Sequence, residues 1–275
     1  GEAGFIWNIN RNNRLDGKIY YYDNNRELPG QVRYYTDISM ETLHDRNFFA
    51  QLQYRAWNSR NLSFKLNAKY NWASSDYKNG LYQGGINDAK YWQREAYASA
   101  CLLYTPWRNW AFDYSADYIF NNLSSSLATN TRPYRHTVLQ SATARYRDRR
   151  FTVMARLLYS LYFNAAKDGA SARDARKLSP SVSLSYRLLS DEDLYIRLSY
   201  KNIFRAPTFN ESYYFHYGST DLKPETTDQL NLGLTWEHTY GRKSYFRLSA
   251  DGYINKVKDK IVAVPYNMFV WTNVN

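Results

Sequence analysis

Residues 198–236 read LSYKNIFRAPTFNESYYFHYGSTDLKPETTDQLNLGLTW, a strand, a long Tyr-rich loop and a second strand. On the near side of the loop, Leu194, Ile196, Leu198 and Tyr200 alternate with Tyr195, Arg197, Ser199 and Lys201. On the far side, Leu230, Leu232, Leu234 and Trp236 alternate with Asn231, Gly233, Thr235 and Glu237. A period of two sends successive side chains to opposite faces, so each flank is a two-faced strand and the whole is an antiparallel hairpin.

The pattern continues outward. Leu62, Phe64, Leu66, Ala68, Tyr70 and Trp72 interleave with Ser63, Lys65, Asn67, Lys69 and Asn71. The runs Phe112–Phe120, Val182–Leu188 and Phe246–Ala250 alternate in the same way. In 92–105 and 151–164 both faces are partly apolar, and alternation alone does not say which points outward. Short turns fall at about 11–16, 58–61, 106–109, 148–150, 190–193 and 241–243, and long polar loops at about 24–45, 76–91, 121–136, 164–178 and 205–227. Short and long connections therefore alternate strictly, as in a transmembrane barrel with tight turns at one end and extended loops at the other. A soluble sandwich has no reason to sort its loops this way. The reading predicts an all-β, antiparallel up-and-down transmembrane β-barrel segment of about 13 strands, with helix limited to a turn or two in the loops.

Composition agrees. The 275 residues include 28 Tyr, 8 Trp and 13 Phe, and these aromatics make up 18% of the chain. Excess Tyr and Trp suits the two interfacial girdles of a barrel. Mean hydropathy is −0.68, which is compatible with a membrane because barrel strands show only alternate residues to lipid. The net charge of +11 suits glycolipid phosphates or an anionic ligand. With no RNA-binding signature, zinc-ligand spacing or basic helix, nucleic acid is not expected as a partner. Cys101 is the single cysteine, so no intrachain disulfide forms, and it reads as a small apolar filler. The chain opens Gly1-Glu2-Ala3-Gly4 without a signal peptide, as expected of a mature piece or a piece of something longer.

Phe204-Arg205-Ala206-Pro207, Thr208-Phe209-Asn210-Glu211 and Asp221-Leu222-Lys223-Pro224-Glu225 resemble the paired motifs of TonB-dependent outer-membrane receptors, which import scarce chelates through a plugged barrel. The resemblance implies an outer membrane of a Gram-negative bacterium, and partners comprising outer-membrane lipid and glycolipid, a small-molecule metal chelate and a TonB-type energy-coupling protein that acts through a plug domain. Residues 1–275 are then part of one barrel domain, and no stretch resembles the plug. The plugged transporters have about 22 strands, and Trp271-Thr272-Asn273-Val274-Asn275 resembles the middle of such a barrel. The implied ligand is haem or a ferric siderophore, carried as cargo with no intrinsic cofactor. Uptake of cobalamin or a glycan, or a structural or adhesive barrel without transport, are the alternatives.

In the haem-uptake branch a histidine between two motifs ligates iron, and His216 stands in that interval as the implied axial ligand. Ser219-Thr220-Asp221-Leu222 occupies the place of the second motif and shares only its Leu. Tyr213, Tyr214, Phe215, His216 and Tyr217 form an aromatic cluster whose rings can stack on a flat ligand or fill the barrel mouth. Arg205 can hold a ligand carboxylate through a bidentate fork or anchor the loop to a carboxylate such as Glu211. The basic stretches Arg132–His136 and Lys167–Lys177 suit phosphates or solvent. No catalytic elbow, phosphate-cradling Gly loop or metal-spaced pair of histidines appears, so the chain is not read as an enzyme.

Overall fold

The computed structural model describes residues 1–29, 40–59, 61–80, 88–127, 131–213, 218–240, 244–266 and 268–275. The alternating segments become strands β1 (Glu2–Asn10), β2 (Asn13–Leu28), β3 (Glu41–Ser59), β4 (Leu62–Asn79), β5 (Ala89–Trp107), β6 (Trp110–Ser125), β7 (Pro133–Arg147) and β8 (Phe151–Ala166). They continue as β9 (Ala175–Arg187), β10 (Asp193–Arg205), β11 (Glu225–Tyr240) and β12 (Ser244–Lys258). A single helix, α1 (Phe209–Tyr213), interrupts the β10–β11 loop. β13 (Lys260–Tyr266) and β14 (Met268–Val274) form a separate hairpin after β12.

β1 to β12 make one antiparallel sheet in strict sequence order, with β1 and β12 at its edges. Among the described residues there are 14 strands, 12 in this sheet, where the alternation predicted about 13. The extra strand comes from residues 260–274, which fold back on themselves. β2 to β12 run 13 to 19 residues each, longer than the roughly 9–11 needed to cross a bilayer. Pairing reaches Leu28↔Glu41 and Glu41↔Asn79, so the long loops are shorter than their polar composition suggested.

One face of the sheet is apolar and exposed. Leu52 is 50% exposed, Leu102 41% and Leu232 54%, and among the described residues no large side chain is fully buried. The ambiguous strands fall into line: in β5, Ala98, Leu102 and Tyr104 join the exposed face while Ser99 is buried on the other, and in β8, Leu157, Tyr159 and Phe163 are exposed while Ser160 is buried.

The opposite face is polar and cross-linked between strands along its length, from Gln53–Asn67 near the turns to Ser75–Asp45 and Asn121–Glu95 nearer the long loops. Gln53 Nε2 donates to Asn67 Oδ1 (2.7 Å), and Asn67 Nδ2 donates to Ser99 Oγ (2.8 Å). Tyr97 donates its hydroxyl to Asp117 (2.7 Å), and Asp16 pairs with Arg14 (2.7 Å) and Arg55 (3.3 Å). Gly233 serves the same face: Arg197 and Asp251 are its neighbours on β10 and β12, and their 2.8 Å ion pair crosses the space its missing side chain leaves. A Cβ there would meet Asp251 Oδ1 at 2.2 Å.

The small apolar core lies elsewhere. Of the five buried apolar side chains among the described residues, Ala172 sits in the β8–β9 loop, Phe209 and Leu222 in the β10–β11 loop, and Ile261 at the start of β13. Three connections at the long-loop end thus hold four of the five buried apolar side chains among the described residues.

Candidate functional site at the long-loop end

β10 leaves β9 after Ser181↔Lys201 but stays paired with β11 as far as Arg205↔Glu225. Beyond the parting, Phe204 lies 5.8 Å from the ring of Tyr162 on β8. Pro207, which has no N–H to give a ladder, is buried just past the strand end.

Thr208 then starts α1. Its Oγ1 accepts the Glu211 N–H (3.2 Å), while Glu211 Oε2 accepts the Thr208 N–H (2.8 Å). This reciprocal capping box satisfies two otherwise orphaned donors. Arg205 Nη1 donates to both Glu211 oxygens (2.8 and 2.9 Å) and Nη2 donates to Glu225 (3.4 Å). Glu225 also accepts the Ile261 N–H (3.1 Å), so one guanidinium links α1 to the β13–β14 hairpin. Burial alone would raise the Glu211 carboxyl, but the Thr208 N–H and the Arg205 guanidinium outweigh it and hold the group below its ordinary value. Asn273 ties the same hairpin to the loop: its Nδ2 donates to the Lys223 carbonyl (3.0 Å) and its Oδ1 accepts the Lys223 N–H (2.8 Å).

The other side of α1 rests on the β7–β9 wall. The Arg135 guanidinium lies 5.2 Å from the ring centre of Phe209 and 5.8 Å from that of Tyr162, and its Nε donates to Asn164 Oδ1 (2.6 Å). Cations are attracted to the negative face of an aromatic ring. The Tyr213 hydroxyl accepts the Ala172 N–H (2.7 Å).

Of the residues singled out from sequence, Arg205 and Tyr213 therefore hold the loop in place. Tyr214, Phe215, His216 and Tyr217 lie outside the described residues. The other three histidines have partners: His44 with Asp23, His136 with Tyr118 and His238 with Glu192. Among the described residues no group of three His, Cys, Asp or Glu is placed to hold a metal. Two of the basic side chains expected to be available to phosphates are engaged, Arg132 with Asp168 and Arg173 with Asp221.

Docked in this way, α1 carries Asn210 to a cavity of about 870 Å³ on the polar face of β2–β6. Ligand sites commonly span about 300–1,000 Å³. The rings of Tyr20, Tyr22, Phe49, Tyr77 and Tyr91 line it, with Tyr20 and Phe49 stacked at 5.1 Å, and Asn47, Asn71, Gln93 and Asn210 supply its amides. Sequence reading did not single out this group, because it needs four adjacent strands and a distant loop brought together. The capping box was readable in Thr208-Phe209-Asn210-Glu211 and was missed.

A long-stranded up-and-down sheet, apolar on one face, polar on the other and with connections sorted by length, is the wall of an outer-membrane-type β-barrel. The profile of the family described as TonB dependent receptor-like, beta-barrel matches residues 2–275, and the chain belongs to that family. Similar solved structures include the copper transporter OprC (15% identity, TM-score 0.78, 99% of this chain and 47% of that one). A double mutant of the Serratia marcescens hemophore receptor HasR, in complex with its hemophore HasA and heme, gives 15% identity and TM-score 0.76 over 99% and 49% of the two chains. The siderophore receptor PirA from Pseudomonas aeruginosa gives 13% identity and TM-score 0.76 over 99% and 50%. The chain thus spans about half the length of the structures it matches. No curated protein matches it.

Proposed function

We propose that the chain is the barrel portion of an outer-membrane receptor of a Gram-negative bacterium that imports a metal chelate, with haem or a ferric siderophore as the cargo. The observation that carries this reading is the docking of α1: a capped helix, clamped by Arg205 and Glu211, is built over the polar wall at the long-loop end, where a ligand arriving from outside would be met. A loop that only covered an edge would not need a two-pronged ion pair and a capping box to fix its position. In the proposal the protein binds and passes its cargo without bond chemistry, the apolar face meets lipid and glycolipid, and a TonB-type protein supplies energy through a plug carried by the complete receptor. His216, with Tyr214 and Tyr217 beside it, is the proposed axial ligand if the cargo is haem.

The test is a haem titration of the complete receptor, with and without His216→Ala, followed at the Soret band. A red shift lost in the variant supports haem uptake and names the ligand. No shift in either protein removes haem and leaves ferric siderophores, to be tested by growth on each as sole iron source.

A further inference from the structure

The apolar face carries a pocket of its own at the long-loop end. It encloses about 220 Å³ against β6, β7 and the end of β8, and Phe120, Asn122, Ser124, Arg132, Tyr134 and Lys167 line it. Phe120, Asn122 and Ser124 follow Tyr118 at every second position of β6, and Tyr118 is 42% exposed on the apolar face. Alternation therefore turns the pocket toward the membrane, away from the polar wall. Asn122 pairs with Tyr134 on one side and with Arg94 on the other, and Ser124 pairs with Trp92, so the pocket continues sideways onto β5.

Its donors are uncommitted. Among the described residues the Asn122 amide, the Ser124 hydroxyl and the side chains of Arg94 and Lys167 have no hydrogen-bond or ion-pair partner, and Lys90 reaches only the Trp92 ring, 5.4 Å from its centre. Two carboxylates share this rim: Asp168 is held by Arg132, and Asp76 stands in register with Lys90 without an ion pair to it. Lys90, Arg94, Arg132 and Lys167 outnumber Asp76 and Asp168, and the surplus favours an anion. A guanidinium fork, an ammonium and two neutral donors suit the several oxygens of a phosphate.

The surface beneath the pocket says how that phosphate is carried. The rings of Phe120, Tyr134 and His136 pack 5.1 to 6.4 Å apart at its base. Below them Tyr118 and Phe163, 42% and 48% exposed, continue the apolar face toward the turns. Rings and basic side chains gather at the level of lipid head groups, where one molecule offers both charge and hydrocarbon. A free anion would leave the ring cluster and the apolar face below it without a role.

We infer that this pocket seats a phosphate of an outer-leaflet glycolipid, with Arg94 and Lys167 as its charged contacts, Asn122 and Ser124 as neutral donors, and the acyl chains laid on the apolar face below. The inference rests on the chain being an outer-membrane wall, and it is independent of the cargo.

The experiment uses the complete receptor in detergent, offered bisphosphorylated lipid A, lipid A stripped of both phosphates, or inorganic phosphate, with bound lipid counted by native mass spectrometry. The expected result is retention of bisphosphorylated lipid A that excess inorganic phosphate does not displace, weakened about threefold by Arg94→Gln or Lys167→Gln and about tenfold by the two together. Arg149→Gln, in the β7–β8 turn at the other end of the sheet, should leave retention unchanged. Because Arg94 and Lys167 have no partner to lose, both variants should keep the parent unfolding midpoint. Failure to retain bisphosphorylated lipid A, equal retention of the stripped lipid, displacement by inorganic phosphate, or retention indifferent to both substitutions overturns the inference. A haem titration and growth on ferric siderophores, run on the same variants, test the receptor reading separately, and cargo binding without lipid retention would keep that reading while rejecting the pocket.

Discussion

Asn67 and Asn71 lie four residues apart on one face of β4, and the wall around them is built on opposite plans. Asn67 is tied on both sides, to Gln53 of β3 and Ser99 of β5, within a region where Arg14, Asp16 and Arg55 are also joined. Asn71 stands among Tyr20, Phe49 and Gln93 with its amide unpaired. Near the turns these amides tie strands together, and nearer the long loops Asn71 and Gln93 stay unpaired beside bonded neighbours such as Asp45 and Ser75, with α1 fixed above them. A polar barrel wall can therefore carry paired and unpaired amides within a few residues of one strand.

The largest effect should come where the loop-end half is anchored. Glu211→Ala leaves Arg205 without its main partner and removes one arm of the capping box, and since Arg205 is 38% exposed the loss should be about 2–3 kcal/mol. Hydrogen exchange across residues 205–225 should speed up accordingly while exchange at Asn67 stays unchanged. The same carboxylate sets an acid limit. Its pKa is depressed in the folded state, so its contribution is present above the ordinary glutamate value of about 4.3 and is lost as pH falls through the lower folded value. Proteolysis of this loop should be flat from about pH 5 to 8 and rise below about pH 4, and Glu211→Gln should be more susceptible at neutral pH with a flatter acid response.

Next in size is the turn-end network. Asn67→Ala strips partners from Gln53 and Ser99 and should cost about 1–2 kcal/mol in a denaturant titration of the reconstituted receptor. Gly233→Ala should cost less. The added Cβ displaces Asp251 from Arg197, but that pair is roughly half exposed, so about 0.5 kcal/mol is expected. Asn71→Ala should fall within about 0.5 kcal/mol of the parent.

Much of the fold was legible because strands with one apolar and one polar face must alternate. Leu62 to Trp72 and Leu230 to Trp236 announced their faces, and the sheet kept them. The loops were overestimated for the complementary reason. At Glu41↔Asn79 and Leu28↔Glu41 the ladder continues past the apolar band, and where neither face meets an apolar medium the period-two signal fades although the backbone pairing does not. β5 and β8 were ambiguous because each carries apolar residues on both faces, and only their neighbours decide between Leu102 and Leu103.

The site was less legible. Arg205 was read as either a ligand clamp or a loop anchor, and the structure bonds it to Glu211 and Glu225. Thr208 and Glu211 had the spacing of a capping box in plain view. The group of Asn47, Asn71, Gln93 and Asn210 was out of reach, since no local pattern brings residues 47 and 210 together.

The contrast between the two parts of the wall is tested most directly by making Asn67→Ala and Asn71→Ala in the complete receptor and measuring the unfolding midpoint of each. The account predicts that Asn67→Ala lowers the midpoint while Asn71→Ala leaves it at the parent value. An Asn71→Ala that destabilises as much as Asn67→Ala would contradict it.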